Sequence, residues 1–308
     1  MIRASGLTKR YGSVLAVDHL SFEVPSGVVT GFLGPNGSGK STTMRMIMGL
    51  DEPTAGSVTV GGRAYRSLPW PLREVGALLE AKAIHPGRRA RDHLWALAQT
   101  NDIPRSRVDE VLELVGLTAV ARRRAGTFSL GMSQRLGVAA ALLGDPQVLL
   151  FDEPVNGLDP EGIRWVRSLL EQLASEGRTV FVSSHLMSEM ALIAEQLVVI
   201  GHGRLVAETS VAAFIDEHVQ RTTVVRSPRA GELAAALAAR GVVVLHRDDG
   251  SFVVRDLPMA EVGELAGSLG IALHELSSQG SLEEAFMAST AGSVEFHGGT
   301  TGAGPGGL

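Results

Sequence analysis

The sequence predicts an α/β protein built on a mainly parallel sheet, followed by a smaller α+β domain. Four short runs, at 28–34, 148–152, 179–184 and 196–200, are apolar and are separated by longer segments with helical spacing. Strands that are apolar on both faces are typical of a parallel sheet covered by helices. Near residue 218 the pattern changes, and short strands and helices then follow in the order β-α-β-β-α-β.

The composition is that of a folded protein with room for about two domains, because 44% of the 308 residues are hydrophobic. The net charge of −5 argues against a surface that binds nucleic acid, so no nucleic-acid partner is predicted. The absence of cysteine excludes disulfides, thiolate nucleophiles and Cys-ligated zinc. Charge-free stretches are too short and too rich in Gly or Pro for membrane helices, and no apolar signal segment is recognised, which predicts a cytoplasmic chain.

The first domain is predicted to span residues 1–217. Within it, the runs 15–24 and 57–60 alternate apolar and polar residues, as a half-exposed antiparallel layer does. A long stretch before the 148 strand carries apolar residues at helical spacing, which predicts a helical subdomain at about 87–143.

The second domain is predicted to span residues 218–290. Its order of elements matches the split βαβ arrangement, so we expect a ferredoxin-like fold. The predicted elements are a strand at 222–225, a helix at 229–240, a hairpin of 242–245 and 251–254, a helix at 259–269, a strand at 272–276 and a closing helix at 282–288. The Gly-rich residues 291–308 are predicted to be a disordered tail, because they cannot bury enough apolar surface.

A phosphate-binding loop follows the first apolar strand and matches the pattern G-x-x-x-x-G-K-[ST]. Its glycines let backbone N–H groups surround a phosphate, and the helix that follows directs its positive end at the anion. Lys40 can then reach the β- and γ-phosphates, and the Ser41 hydroxyl can ligate Mg²⁺. The alternative is an ordinary Gly-rich turn, but only three lysines occur against 25 arginines, which makes a chance match rare. The predicted nucleotide-binding residues here are Gly34, Pro35, Asn36, Gly37, Ser38, Gly39, Lys40, Ser41 and Thr42.

An acidic pair, Asp152 and Glu153, ends the apolar strand that begins at Val148. A carboxylate at such a strand tip can hold the magnesium shell, which is the role predicted for Asp152. Glu153 is then placed to orient and polarise an attacking water. Alone, the pair is equally compatible with an ordinary strand end, but together with the phosphate loop it predicts nucleotide hydrolysis.

Residues 128–135, Phe-Ser-Leu-Gly-Met-Ser-Gln-Arg, open an apolar helix shortly before the acidic strand. This run resembles the signature motif of ATP-binding-cassette (ABC) ATPases, and the chain resembles that family from residue 1 to about 210. The resemblance implies a P-loop NTPase fold with a RecA-like core, an antiparallel β layer and a helical subdomain. It also implies that Tyr11 stacks on adenine, that Asp159 belongs to the D-loop, and that His185 hydrogen-bonds the γ-phosphate and helps to hold the attacking water and Glu153 in line. The predicted catalytic residues are therefore Glu153, His185 and Lys40.

The signature motif has a physical interpretation of its own. Ser129 and Gly131 place a hydroxyl and an unhindered backbone N–H at the start of a helix, which forms a second phosphate-binding surface. One triphosphate has little use for two such surfaces from one subunit. A homodimer around two Mg-ATP, each held between the Lys40 loop of one copy and the Ser129 helix of the other, satisfies both. The alternative for Ser129 is a plain helix N-cap.

Two departures from the family pattern stand out. Glu80 follows the strand at 75–79 where the family usually carries glutamine; its oxygens could ligate Mg²⁺, but it adds a negative charge. The signature reads Ser-Leu-Gly-Met rather than Ser-Gly-Gly-Gln. Both departures, and the appended domain ending at 281–286, resemble the single-cassette exporter ATPases related to bacitracin and daunorubicin resistance.

These observations predict the ATP-hydrolysing subunit of an exporter, peripheral on the inner face of the cell membrane and driving a separately encoded transmembrane permease. The permease's coupling helix is expected in a groove around 80–97. A soluble ABC ATPase acting on ribosomes or DNA is the alternative, and a third is an ATP sensor without turnover. Arginine clusters at 88–91 and 122–124 either form a solvated helix face or contact anionic lipid or the permease.

Overall fold

A computed structural model of the chain describes residues 1–80, 83–218, 222–247, 249–255, 257–279 and 286–287. The chain divides into two compact units, Met1–Val211 and Ala212–Ser289. The division follows Val211, the first residue of the helix Val211–His218, and so lies a few residues before the predicted boundary at 217. The assignment of 1–217 and 218–290 as functional domains stays a prediction.

The first unit contains an antiparallel layer of three strands in the order β2-β1-β4. These are β1 (Ile2–Tyr11), β2 (Val14–Val24) and β4 (Ala55–Val60). The central strand, β1, was not among the predicted strands, because Gly6 and the charged pair Lys9-Arg10 interrupt its apolar pattern. β1 pairs with β2 on one side and with β4 on the other. Over the first half of β1, buried residues alternate with exposed ones, so the buried side chains there lie on one face of the layer.

The main sheet of the first unit has six strands in the order β5-β6-β7-β3-β8-β9. The five that pair in parallel are β3 (Val29–Leu33), β5 (Val75–Leu78), β6 (Val148–Asp152), β7 (Thr179–Ser184) and β8 (Gln196–Gly201). The last strand, β9 (Arg204–Ser210), runs antiparallel to β8. Because β6, β7 and β3 are adjacent and parallel, the loops after them lie together at one edge of the sheet.

Three stacked phenylalanines join the antiparallel layer to the main sheet. Phe22 of β2 lies 5.7 Å from Phe32 of β3, and Phe32 lies 4.9 Å from Phe181 of β7, measured between ring centroids. All three rings are buried in one hydrophobic core. Aromatic pairs at these distances stabilise a core beyond their buried area, so the strand that leads into the phosphate loop is held from both layers.

Helices connect the strands of the first unit. They are α1 (Lys40–Ile47), α2 (Pro71–Glu74), α3 (Ala90–Gln99), α4 (Arg105–Leu114), α5 (Leu130–Leu142), α6 (Pro160–Ser175) and α7 (Met187–Ile193). Helices α3, α4 and α5 pack on one another within the predicted helical stretch. Their buried stripes, including Leu94, Val111 and Leu136, form the contact.

The second unit takes in most of helix α8 (Val211–His218) and an antiparallel sheet in the order β11-β12-β10-β13. Its further elements are β10 (Thr222–Arg226), α9 (Ala230–Ala238), β11 (Val244–His246), β12 (Phe252–Arg255), α10 (Met259–Ser268) and β13 (Glu275–Gln279). From β10 to β13 they follow the predicted order, although β13 begins three residues after the predicted strand. Most of the predicted closing helix, and the whole predicted tail at 291–308, lie outside the described residues. The ferredoxin-like assignment stays a prediction.

Candidate nucleotide site

The phosphate-binding loop connects β3 to α1, and two of its glycines are required by its shape. Gly39 has φ of 101° and caps α1, and a Cβ there would meet Ala16 O at 2.6 Å. A Cβ on Gly34 would meet Ile200 O at 2.7 Å. Larger residues at either position would displace the backbone, so the sequence pattern reflects a real steric limit.

Lys40, the first residue of α1, is folded back into the phosphate loop. Its Nζ donates to Gly34 O at 2.6 Å and to Pro35 O at 3.2 Å, and lies 3.9 Å from Glu153 Oε1. Burial lowers the pKa of Lys40, while the charges of Glu153 and Asp152 act in the opposite direction. The ammonium is therefore held inside the loop by neutral carbonyls, which an anion could replace.

The remaining loop residues offer further polar groups. Ser38 Oγ is buried and has no hydrogen-bond partner among the residues that the structure describes. An orphaned buried hydroxyl beside a lysine fits a phosphate oxygen, which would satisfy it. Asn36 and Ser41 are exposed, and Thr42 is half-buried on the first turn of α1.

The acidic pair at the end of β6 is held by a serine of the neighbouring strand. Ser183 Oγ donates to Asp152 Oδ1 and accepts from Glu153 N at 2.9 Å. Glu153 has φ of 49°, which turns the chain sharply after the strand. Ser183 was not among the predicted site residues, although its place at the end of β7, beside β6, could have indicated it.

The three predicted catalytic side chains form one cluster. His185 Nδ1 lies 3.0 Å from Glu153 Oε2. The Glu153 carboxylate also forms an ion pair with Lys40, so the cluster joins residues that follow β3, β6 and β7. The edge of a parallel sheet has thus brought together residues that are distant in the sequence.

The predicted metal ligands Ser41, Glu80 and Asp152 line one cavity of about 550 Å³. Its other walls are largely apolar and include Met48, Leu50, Leu79 and Ile84, with His93 among the polar exceptions. In the described part of the chain, no three His, Cys, Asp or Glu side chains group as a metal site. The three oxygen-bearing residues nevertheless fit a hard cation such as Mg²⁺, which keeps several waters and uses phosphates as further ligands.

Tyr11, at the end of β1, is anchored by an ion pair. Its Oη donates to Asp51 Oδ2 at 2.7 Å, and Arg45 Nε donates to the same oxygen at 2.8 Å. Burial and the Asp51 carboxylate raise the pKa of Tyr11, whereas the ring remains 45% exposed. Lys9 Nζ lies 4.9 Å from the ring centroid. Neither Asp51 nor Arg45 was predicted, because their bond to Tyr11 links distant parts of the chain.

The signature residues lie on a different element. Ser129 is the N-cap of α5, where its Oγ accepts from Met132 N at 3.2 Å, and it is exposed. Asp159 is likewise the N-cap of α6 and accepts from Gly162 N at 2.8 Å. A Cβ on Gly131 would lie 3.5 Å from Leu158, so the signature and the D-loop are neighbours.

A buried glutamine links the signature helix to the catalytic cluster. Gln134 on α5 is 4% exposed, and its Nε2 donates to Pro154 O at 2.7 Å. Pro154 directly follows Glu153, so this hydrogen bond joins α5 to the turn that carries the Glu153 carboxylate. Gln134 was not a predicted site residue, and its position on the buried face of α5 is the signal that could have found it.

Within the parts of the chain that the structure describes, no helix is long and apolar enough to cross a membrane.

Comparison with known proteins places this geometry in a family. The family model described as ABC transporter matches residues 17–156, and a domain of unknown function matches 221–283. The chain is 43% identical over 211 residues to the bacitracin transport ATP-binding protein BcrA of Bacillus licheniformis, covering 68% of this chain and 69% of that protein. It is 36% identical over 208 residues to the lantibiotic transport ATP-binding protein SrtF of Streptococcus pyogenes, covering 68% and 90%.

Solved structures confirm the predicted cassette fold. A dimeric bacterial ABC transporter cassette matches with a TM-score of 0.63 and 25% identity, over 68% of this chain and 99% of that one. An ATP-binding subunit of an ABC transporter matches in fold with a TM-score of 0.64 and 23% identity, over 70% and 92%. The predicted resemblance to single-cassette exporter ATPases is confirmed by the relatives. This chain belongs to the family of ABC transporter ATP-binding proteins.

Proposed function

We propose that this chain is the ATP-hydrolysing subunit of an ABC exporter and works as a homodimer with a separately encoded permease. One observation carries the proposal: Lys40, Glu153 and His185 form a contact cluster in one chain, whereas Ser129 is exposed on another helix. Each chain therefore offers a hydrolytic half-site and, separately, a second phosphate-binding surface.

The chemistry follows from the side chains in the cluster. The loop N–H groups and Lys40 hold the phosphates, exchanging the contacts with Gly34 O and Pro35 O for phosphate oxygens. Glu153 orients the attacking water and accepts its proton, and His185, 3.0 Å away, donates to the γ-phosphate and keeps the carboxylate in place. Ser41, Asp152 and Glu80 would hold Mg²⁺, which neutralises charge on the β- and γ-phosphates when bound.

The dimer completes each site. The exposed N-terminus of α5, with Ser129 and Gly131, faces the γ-phosphate of ATP bound by the partner copy, related by a twofold axis. Asp159 begins the helix beside it and so belongs to the same interface. Gln134 connects this surface to the Glu153 turn of its own chain, which ties closure to hydrolysis.

The permease is proposed to dock beside the magnesium site, which places the chain on the inner face of the membrane. The cavity that contains Glu80 is walled largely by apolar residues, and four of its lining residues, Glu80, Ala83, Ile84 and His93, fall within the range 80–97 where the coupling helix is expected. An amphipathic coupling helix would insert an apolar side chain there and contact Glu80 directly. The named relatives transport bacitracin and a lantibiotic, so we propose antibiotic or related export. The alternative of an ATPase acting on ribosomes or DNA is not favoured by these relatives.

The decisive experiment is capture of the permease from native membranes. The tagged full-length chain, with Glu153→Gln to prolong the ATP-bound dimer, should retain an integral membrane protein when ATP and Mg²⁺ are present. The same chain with Lys40→Ala is the matched control, because it should not bind nucleotide and should not dimerise. Recovery of ribosomes or DNA with the Glu153→Gln chain, and of no integral membrane protein, would overturn the proposal.

A further inference from the structure

Two segments of the helical subdomain meet at a basic depression that the nucleotide site does not use. Its volume is about 450 Å³. It is lined by His85, Gly87, Arg88, Arg89, Asp92 and Arg124. The three arginines and the histidine are exposed, so their side chains are available to a ligand from solvent.

The backbone holds this depression in shape. Arg89 and Arg124 face each other in an antiparallel β-bridge, and Ala125 N donates to Arg88 O at 2.9 Å. A further bond joins Ala90 N to the carbonyl that precedes Arg124, at 3.2 Å. Guanidinium groups from two distant parts of the chain are thus brought to one place by main-chain pairing.

Three arginines line the depression against one carboxylate among the described residues, that of Asp92, so its net charge is positive. Across the described ranges, no ion pair joins Arg88, Arg89 or Arg124 to a carboxylate, whereas the neighbouring Arg91 pairs with Asp109 at 2.6 Å. Like charges held together repel one another, and a bound anion relieves that cost. Guanidinium groups match phosphate oxygens, like carboxylate oxygens, in a two-pronged hydrogen-bonding geometry, so a phosphate group fits this cluster of arginines.

We propose that this depression binds the phosphate group of an anionic phospholipid at the membrane surface. The neighbouring cavity at Glu80 is walled by apolar residues such as Leu79 and Ile84, which suits a protein helix. Among the described residues, no apolar side chain lines the basic depression, which suits a charged headgroup instead. The inference rests on the membrane-side function proposed above, but vesicle binding needs no permease, so failure of one is distinguishable from failure of the other.

The test is flotation of the purified full-length chain with vesicles of phosphatidylcholine alone or mixed with phosphatidylglycerol. The triple variant Arg88→Gln, Arg89→Gln, Arg124→Gln is compared with the control Arg3→Gln, Arg63→Gln, Arg167→Gln, which removes the same charge elsewhere. Because each basic residue near an anionic surface contributes roughly fivefold, the triple variant should bind the mixed vesicles roughly 100-fold more weakly. The control should bind like the wild type. The three arginine-to-lysine changes should restore only part of the affinity, because lysine keeps the charge but not the two-pronged geometry of a guanidinium.

Three results would overturn the inference. Equal binding of the triple variant and its control would show that overall charge, rather than this site, attracts the vesicles. Binding of soluble glycerol phosphate that is lost in the triple variant, with no retention of the wild type on the mixed vesicles, would assign the site to a free phosphate compound. Retention only on membranes that contain the permease, lost in the triple variant, would assign it to an acidic protein segment. Matched unfolding midpoints of both triple variants establish that each is folded.

Discussion

His185 Nδ1 lies within 3.1 Å of both carboxylate oxygens of Glu153, so one imidazole edge faces the whole carboxylate. The two residues follow adjacent parallel strands, β6 and β7, and Ser183 fixes the main chain between them by accepting from Glu153 N. The carboxylate thus has a defined orientation, and Lys40 Nζ lies 3.9 Å from its Oε1. A water held by this carboxylate would attack the γ-phosphate from a fixed direction while Glu153 accepts its proton, which is what general-base catalysis requires.

Replacing Glu153 with glutamine should separate binding from turnover. The amide has the same shape and can still accept from His185 or donate to it, but it cannot accept a proton from water. We expect ATP hydrolysis to fall roughly 100- to 10,000-fold, the usual value of general acid–base catalysis, with ATP affinity retained. Size exclusion with ATP and Mg²⁺ should then show a persistent dimer.

The matched control for this change is Glu171→Gln on the exposed face of α6, which removes the same charge far from the cluster. It should hydrolyse ATP like the wild type. If Glu153→Gln retains most of the turnover, the proton acceptor has been misassigned, and the role of His185 must be measured separately.

The burial of Lys40 predicts a pH dependence of stability. Burial lowers its pKa in the folded chain below the ordinary value, with Glu153 and Asp152 opposing the shift only in part. The unfolded chain therefore binds this proton more tightly than the folded chain does, and at neutral pH the folded chain bears the full cost of burying the ammonium. As the pH rises from the lowered pKa to that of an ordinary lysine, the folded chain loses the proton first, and the free energy of unfolding increases.

Comparison of the wild type with Lys40→Met isolates this effect. We expect the free energy of unfolding of the wild type, minus that of Lys40→Met, to increase as the pH is raised above neutral. Denaturant titrations of both proteins at each pH measure this difference. A difference that stays constant with pH would mean that Lys40 keeps an ordinary pKa in the folded chain. The variant should also lose ATP affinity at every pH.

Ser129 allows the helix-capping role to be separated from the phosphate-binding role. Its Oγ accepts from Met132 N, so Ser129→Ala should cost about 1 kcal/mol of stability. Ser129→Asp keeps an effective N-cap, but it places a negative charge where the partner's γ-phosphate would lie. The thermal unfolding midpoint of Ser129→Asp should therefore be close to that of the wild type, and that of Ser129→Ala should be lower. ATP turnover should be lost in Ser129→Asp. Retained turnover with Asp would mean that Ser129 caps its helix and does nothing more.

The sequence was sufficient for those parts of the site that are continuous in the chain. The phosphate loop, the Asp152-Glu153 tip and the Ser129 N-cap each depend on local backbone geometry, which short motifs specify. The supporting contacts of Ser183, Gln134 and Asp51 could not be read in this way. Each joins strands or helices that only the sheet order brings together, and a hydroxyl or amide at such a position has no local signature.

The strand β1 illustrates a second limit of the same kind. Its residues alternate between buried and exposed from Ile2 to Ser5, but Leu7 and Thr8 are both buried, and Lys9 and Arg10 then interrupt the pattern in the sequence. Lys9 belongs there because its Nζ donates to Glu52 O at 2.6 Å, across to the segment before β4. A tertiary contact therefore explains a charged residue that local propensity counts against a strand.

The anchor of Tyr11 predicts a graded loss of ATP affinity. Tyr11→Ala removes the ring, and base stacking is worth about 1–3 kcal/mol, so the affinity should fall at least fivefold. Tyr11→Phe and Asp51→Ala each keep the ring but remove the hydrogen bond that orients it, and each should cost less than Tyr11→Ala. In the Tyr11→Ala background, Asp51→Ala should have no further effect, because its action passes through the ring. Titration of a fluorescent ATP analogue measures all four proteins, and an additive loss would indicate that Asp51 acts on its own.

Glu80 offers a final test that depends on charge. It lines the same cavity as Ser41 and Asp152, so its carboxylate adds a second negative charge to the proposed Mg²⁺ ligands. Glu80→Gln keeps the oxygen ligand but removes the charge, and two unit charges about 4 Å apart interact by about 1 kcal/mol in bulk water and by more near a protein surface. We therefore expect the Mg²⁺ concentration for half-maximal ATP hydrolysis to rise about fivefold, with the maximal rate retained.

Glu52→Gln, which removes an exposed carboxylate that pairs with Arg66, should leave the Mg²⁺ dependence unchanged. If Glu80→Gln leaves it unchanged as well but weakens recovery of the permease, Glu80 acts in coupling rather than in metal binding.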